Sequence, residues 1–362
     1  MKDWNTLKGA AQKEALINEL KGNIFEFLLA SLLARHWNHE SEFLTHFTSL
    51  DGGKVHQDFS RYQQYLLEED RELYLQLPQL AKLATQYLCE NTSFFKDFKP
   101  TQTHLLGKWA SSFSAGDDLK ESDLVFIDDK DRVKGLSLKF CKSRAFVNTK
   151  SGGIRSFIER YFSGFKGAAD KQVEFNSFLD QSFIEMRQEC YQWADLSFSE
   201  DFDDGVAKSD KSRTQFDKQW TDHGLPTLPG QLPDEIKQKL HAHYQRVIKK
   251  LYSCLEEFWQ ADAQLFSKCL LPLAGLSAND LSQLTLFHKE IKGQRYQLDH
   301  FEYLDRKTFI KDNALTSWPT LKEGISSFEL DLGPSLLQIR VKPMNTFIVS
   351  GLKVNCSVKS LY

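Results

Sequence analysis

A serine and a lysine two residues apart, Ser137 and Lys139, share one face of the apolar strand candidate GLSLKF. A second strand candidate, LVFI, ends at Ile127, and the polar turn DDKDR joins it to Val133. If Ile127 faces Val133, then Asp123 faces Ser137, and Lys139 lies one diagonal step, about 7–8 Å, away. The hairpin register therefore predicts a carboxylate and a lysine at one place, and a one-residue slip would separate them.

This combination suits metal-assisted hydrolysis of a phosphodiester. Mg²⁺ commonly binds through one or two carboxylates, a backbone oxygen and water, so Asp123 and the carbonyl of Leu138 are candidate ligands. The metal polarises the phosphate, and Lys139 could orient the attacking water and offset developing charge. Ser137 stands where such sites usually carry a second acid, and it brings no negative charge. A second carboxylate is therefore expected from elsewhere in the chain.

Glu26 is the candidate for that second carboxylate. It is the only ionisable side chain between Lys21 and Arg35, inside the nearly all-apolar run IFEFLLASLLA. A charge in such surroundings is costly unless something pairs with it, and a metal ion would do so. The alternatives are that Glu26 pairs with Arg35 or Lys21 or points into a groove, that Asp123 is only a helix or strand cap, and that the serine–lysine pair is an ordinary strand pattern.

A basic segment follows the hairpin. From Arg132 to Lys171 there are ten Lys or Arg residues and two acids, in a chain whose net charge is -3. Ser151 is a good N-cap for a helix starting near Ile154, and a helix start flanked by cations binds phosphate readily. The alternatives are a plain capped helix and a solvated helix face. The candidate DNA contacts of this segment are Lys142, Arg144, Lys150, Ser151, Gly152 and Arg155.

The C-terminal segment is also basic, since residues 336–362 carry Arg340, Lys342, Lys353 and Lys359 and no acid. Arg340 and Lys342 share one face of the strand candidate QIRVKP. This pair could contact a DNA backbone or read base edges. An ordinary edge strand protected by its charges explains the pattern equally well.

The elements that position these residues follow from hydrophobic periodicity. Residues 1–90 read as helical, with a break at LDGGK, and an amphipathic helix is predicted from Ile154 to Phe165. Residues 173–290 look mainly helical, and the last 35 residues return to strands. The prediction is an α/β fold: a catalytic core over 1–172, a helical insertion over 173–290 and a β-rich part over 291–362. The C-terminal strands could join the first sheet or build a second one.

Bulk composition excludes several classes. The small net charge predicts no polyanionic partner by itself, so any DNA surface must come from local clustering. The six cysteines show no C-x-x-C spacing, which argues against structural zinc. The N-terminus is too polar for a signal peptide, and no apolar run reaches the ~18 residues of a membrane span. A reducing cytoplasm is the expected location.

The order of Glu26 in KGNIFE, Asp123 in SD and Ser137–Lys139 in SLK resembles the PD-(D/E)xK nuclease superfamily, in particular type II restriction endonucleases in which Ser replaces the acid. The resemblance covers roughly residues 20–30 and 120–165. It implies a restriction-endonuclease-like αβββαβ core, a mixed sheet flanked by helices. It also implies Mg²⁺ dependence with Mn²⁺ as a substitute, cleavage of double-stranded DNA, a homodimer and no organic cofactor. Asp123 would be a metal ligand, Lys139 the catalytic lysine and Glu26 the helix acid.

Three functions remain open from the sequence. The leading one is a Mg²⁺-dependent DNA endonuclease. The second is a non-catalytic DNA-binding protein on the same fold, in which Ser137 marks a decayed site. The third is an interaction protein built on the helical middle of the chain, which predicts no binding of nucleic acid at all.

Overall fold

The computed structural model describes residues 9–106, 119, 121–197, 215–344, 346–348 and 351–361. The helices in these residues are α1 (Ala10–His36), α2 (Glu40–Ser49), α3 (Lys54–Glu69), α4 (Arg71–Asn91), α5 (Phe157–Tyr161), α6 (Ala168–Trp193), α7 (Gln215–Asp222), α8 (Asp234–Ala261), α9 (Ala263–Leu273) and α10 (Arg306–Asp312). The strands are β1 (Pro100–Leu105), β2 (Leu124–Asp128), β3 (Val133–Lys142), β4 (Val147–Gly153), β5 (Leu281–Ile291), β6 (Gln294–Asp305), β7 (Ser327–Asp331), β8 (Ser335–Pro343) and β9 (Leu352–Ser360).

The chain forms two units, and each is discontinuous in sequence. The first contains Met1–Val147 and Leu276–Phe309, and the second contains Asn148–Gly275 and Ile310–Tyr362. These boundaries differ from those predicted at 172 and 290. The reason is that β5 and β6 hydrogen-bond into the sheet of the first unit although they follow the helices of the second.

The first unit is a mixed sheet with helices packed on it. The strand order is β1-β2-β3-β5-β6, with β3 and β5 parallel and the other neighbours antiparallel. Helices α1 to α4 form a common core with the apolar face of this sheet, which includes Leu136, Leu138 and Leu284. The predicted break in the helical region lies at the 3-10 turn Leu50–Gly53, where Gly53 has φ 89° and so favours glycine. The fold class is thus mixed α/β.

The described part of residues 173–290 is mainly helical, through α6 to α9, and strand β5 is the exception at its end. Its first eight residues, Leu281 to His288, are all buried. A strand that is covered on both faces loses the apolar–polar alternation by which strands are recognised.

The second unit contains the sheet β4-β9-β8-β7, in which β7–β8 and β8–β9 are antiparallel. The C-terminal strands therefore build a second sheet, one of the two predicted alternatives. Its apolar face packs against α8, where the rings of Phe328 and Tyr252 lie 5.4 Å apart.

The amphipathic helix predicted from Ile154 to Phe165 is wrong in length. A 3-10 turn at Ile154–Ser156 is followed by only five helical residues in α5, and α6 begins after Gly167, whose φ is 83°. The apolar positions are nevertheless buried as their spacing predicted. Burial in a compact turn and burial on a helix face give the same local pattern.

Of the helices within the described residues, none combines the length and the apolar character that crossing a membrane requires.

Candidate active site

The β2–β3 hairpin has the register predicted from the sequence. Ile127 lies opposite Val133, and Leu124 lies opposite Leu136. Asp123 directly precedes β2, and its backbone N–H donates to the carbonyl of Leu136 at 3.0 Å. The aspartate is thereby fixed at the start of β2, across from the serine–lysine face of β3.

The carboxylate of Asp123 is the centre of a small hydrogen-bonded group. Its Oδ2 accepts from the backbone N–H of Leu138 at 2.5 Å and from the hydroxyl of Ser137 at 3.3 Å. Lys139 Nζ donates to Ser137 Oγ at 2.9 Å and lies 3.9 Å from Asp123 Oδ2. The side chains of Asp123 and Lys139 are 24% and 28% exposed, so water and small ions can reach them.

The carbonyl of Leu138 points to the same edge of β3 as its N–H, because both groups of a strand residue face one neighbour. The N–H already contacts Asp123. The predicted backbone ligand and the predicted carboxylate ligand therefore lie on the same side of β3.

Glu26, on α1, is linked to this group by electrostatics. Its pKa is raised to about 8, first because the side chain is largely buried and second because of the negative charge of Asp123. The positive charge of Lys139 acts in the opposite direction. Helix α1 packs against β3, where the rings of Phe25 and Phe140 lie 5.6 Å apart, so Glu26 follows directly after a residue in contact with this strand.

The alternative partners considered for Glu26 are engaged elsewhere. Arg35 forms a two-point contact with Glu40, at 2.8 and 2.7 Å. Lys21 donates to Asn18 at 3.0 Å. Its ammonium lies 4.5 Å over the ring of Phe140, and burial lowers the pKa of Lys21 to about 8.

The site offers a cation two carboxylates and a backbone oxygen. Within the described residues no group of three or more His, Cys, Asp or Glu side chains could hold a metal ion, so any metal here would depend on the pair Asp123 and Glu26. Mg²⁺ needs no more than this, because it keeps several waters and takes one or two carboxylates. A cation would also offset the burial and the charge of Asp123 that raise the pKa of Glu26. The residues present therefore fit Mg²⁺.

Two further polar residues of this region lie on β5 and were missed in the sequence. Parallel pairing places Gln283 beside Ser137 and Thr285 beside Lys139. Gln283 Nε2 donates to Thr285 Oγ1 at 3.3 Å, and the two residues are 2% and 0% exposed. No local signal could have found them, because only the parallel pairing of distant segments brings them to β3.

The predicted phosphate site at Ser151 is not built as expected. Ser151 lies inside β4 and its hydroxyl donates to Asn355 Oδ1 at 2.9 Å, so it does not cap a helix. Gly152 lies in the same strand. The helix that follows, α5, is only five residues long, and its N-cap, Ser156, makes no capping bond through its side chain. The cap prediction is wrong because β4 extends to Gly153.

The cations around this strand have different surroundings. Arg155 forms an ion pair with Asp180, and Lys150 lies 5.8 Å over the ring of Tyr161. Lys142 at the end of β3 and Arg144 in the next turn are exposed. Part of the basic excess is therefore used within the fold, and the DNA contacts predicted in this segment stay predictions.

Arg340 and Lys342 lie on β8, between β9 and β7. The interpretation of this segment as a charge-protected edge strand is therefore wrong, because β8 has a hydrogen-bonded neighbour on each side.

No protein-family model, no curated protein and no solved structure matches this chain.

Proposed function

We propose that the first unit is a Mg²⁺-dependent endonuclease that hydrolyses double-stranded DNA, of the type II restriction kind. The observation that carries this proposal is the group formed by Asp123, Ser137, Lys139 and the backbone of Leu138, whose charges also act on the Glu26 carboxyl. Two carboxyl groups beside a lysine, one of them with a raised pKa, suit phosphoryl chemistry better than a structural ion pair, which would not need the second acid.

The topology supports the same proposal. A buried helix, α1, is followed by the antiparallel strands β1, β2 and β3, and a later strand, β5, then runs parallel to β3. This order agrees with the αβββαβ arrangement that the resemblance to PD-(D/E)xK nucleases implies. It favours a restriction-endonuclease-like core over an unrelated mixed sheet.

Each residue has a distinct role in the proposed reaction. Asp123, Glu26 and the carbonyl of Leu138 would hold Mg²⁺. When bound, the metal would polarise the phosphate and lower the pKa of a coordinated water. Lys139 orients the attacking water and offsets the charge that develops as water adds to phosphorus and the bond to the leaving oxygen breaks. The products are a phosphate monoester and a hydroxyl group.

Ser137 supports the lysine rather than the metal. Its hydroxyl accepts from Lys139 Nζ and donates to Asp123, so it spaces the ammonium from the carboxylate. An acid at this position would add a further carboxyl group beside Glu26 and Asp123, with more repulsion among them. The serine avoids that repulsion, and one carboxylate on β3 is replaced by the one on α1.

The test is cleavage of long mixed-sequence DNA with Mg²⁺. Asp123→Asn and Lys139→Ala should each slow cutting by about 100- to 1,000-fold. Matched controls are Asp58→Asn on α3 and Lys82→Ala on α4, which carry the same changes at exposed sites outside the hairpin. Thermal unfolding and circular dichroism check that all four variants are folded.

Cutting retained by both hairpin variants would remove this site from consideration. DNA binding by the wild type without cutting under Mg²⁺ or Mn²⁺ would instead favour the non-catalytic reading of the same fold.

A further inference from the structure

The polar face of the second sheet carries three cationic side chains at one end, Arg340, Lys342 and Lys353, which we call the basic sheet face. Lys342 pairs directly with Lys353 across β8 and β9, and Arg340 pairs with Asn355. Residues alternate strictly along both strands: the intervening side chains are buried, and those of the basic sheet face are partly or fully exposed. The three cations therefore lie together on one surface.

This arrangement is unfavourable for the isolated fold. Directly opposed residues of two antiparallel strands have Cβ atoms about 4.5–5.5 Å apart, and like charges on such a pair repel each other. The pKa of Lys342 is lowered by burial and then by the charges of Lys353 and Arg340. Among the described residues no carboxylate forms an ion pair with any of the three.

Protection of a sheet edge does not explain the charges. Strand β9 lies between β4 and β8, and β8 lies between β9 and β7, so both are interior strands. Lysine protects exposed edges from pairing with other chains, and these strands have no free edge. The nearest acid on the neighbouring strand, Glu329, accepts from Gln338 at 3.0 Å instead.

We propose that the basic sheet face binds the phosphate backbone of duplex DNA. Cations that repel one another are stabilised when an anion lies between them. Binding of the DNA phosphates to these cations also releases the counterions of the DNA, which favours association. Asn355 and Ser151, joined by a hydrogen bond at 2.9 Å beside the cations, add polar groups that bond phosphate and sugar oxygens. The choice of DNA among polyanions rests on the function proposed above, which this surface would serve as a binding platform.

The experiment measures DNA affinity without catalysis, in EDTA, by fluorescence anisotropy on a labelled mixed-sequence duplex over a range of salt. Lys353→Gln should weaken binding and reduce the slope of log affinity against log salt by about 0.9, and Lys342→Gln with Lys353→Gln by about 1.8. The control, Lys249→Gln, removes an exposed lysine from α8 and should leave the slope unchanged.

A stability measurement separates binding from a structural role. Removing one of two opposed lysines should raise the thermal midpoint by roughly 1–3 °C while DNA affinity falls. A variant that loses both affinity and stability would show that the lysines support the fold, which would overturn the proposal.

The remaining outcomes are distinguishable. The wild type could cut and bind DNA while the variants of the basic sheet face keep the full salt slope. The proposal that this face binds DNA would then be wrong, and the proposed endonuclease function would be unaffected. If the protein binds single-stranded RNA or phosphatidylserine vesicles and not duplex DNA, the proposal is also overturned. If Asp123→Asn abolishes cutting but binds DNA through the face, both proposals are supported.

Discussion

Replacing Glu26 by glutamine keeps the shape of the side chain and removes its ability to ionise. The wild-type carboxyl has an ordinary pKa of 4.5 in the unfolded chain, and burial beside Asp123 raises it to about 8 in the folded protein. Between those pH values the folded state binds more protons than the unfolded state, so the free energy of unfolding falls as pH rises. From these two pKa values, the free energy of unfolding should fall by roughly 4 kcal/mol between about pH 5 and pH 9.

Glu26→Gln should lack this component, so its stability relative to the wild type should increase by a few kcal/mol across that range. Urea unfolding in EDTA at constant ionic strength measures the difference directly. Glu14→Gln is the matched control, since it makes the same change at an exposed position of α1. A stability difference between Glu26→Gln and the wild type that stays constant with pH would refute the reasoning.

Magnesium gives the same variant a second readout. A metal binds the deprotonated carboxylate, so Mg²⁺ should stabilise the wild type more at high pH and should release a proton on binding. Glu26→Gln should lose most of this stabilisation. An equal effect of Mg²⁺ on both proteins would place the metal elsewhere.

Two other substitutions test how the hairpin is supported. Gly135→Ala should lower the free energy of unfolding by about 1–3 kcal/mol and should slow DNA cutting. The added Cβ would clash with Ser122, the residue before Asp123, and would lie 2.9 Å from Leu119 Cδ2. Unchanged stability would show that this segment moves aside at no cost. Gln283→Leu should cost about 1–3 kcal/mol in urea unfolding, because the buried hydroxyl of Thr285 loses its hydrogen-bond donor. It should also lower the single-turnover rate by loosening the β5 side of the lysine, and an unchanged rate would assign Gln283 to packing alone.

The hairpin and its register were predictable because both depend on local information. The turn length fixes which residues face each other, and alternation fixes which side they occupy, so Asp123, Ser137 and Lys139 could be placed together. Glu26 could be singled out for a different reason: an ionisable residue in an apolar run is costly to bury alone.

The predictions that were wrong concern features that depend on contacts between distant segments of the chain. Nothing in the sequence of β5 indicates that it pairs with β3, because it is covered on both faces and has lost its alternation. The continuous helix predicted from Ile154 to Phe165 was wrong because the chain forms a 3-10 turn, a five-residue helix and a turn at Gly167 instead, with the same apolar side chains buried. Ser151 was predicted to be an N-cap because its hydrogen-bond partner, Asn355, is 204 residues away in the sequence and no local pattern indicates it.

The parallel pairing of β3 with β5 also governs how the protein must be made. Gly135 cannot meet Leu281 until the ribosome has synthesised all of the intervening helices, and closing so long a loop is slow. Until then the nascent chain carries β3 with one row of backbone groups unpaired, which is the surface that promotes aggregation. Assembly of the Asp123–Lys139 hairpin into its complete sheet is therefore a late event in biosynthesis, and neither unit can be expressed as one uninterrupted fragment.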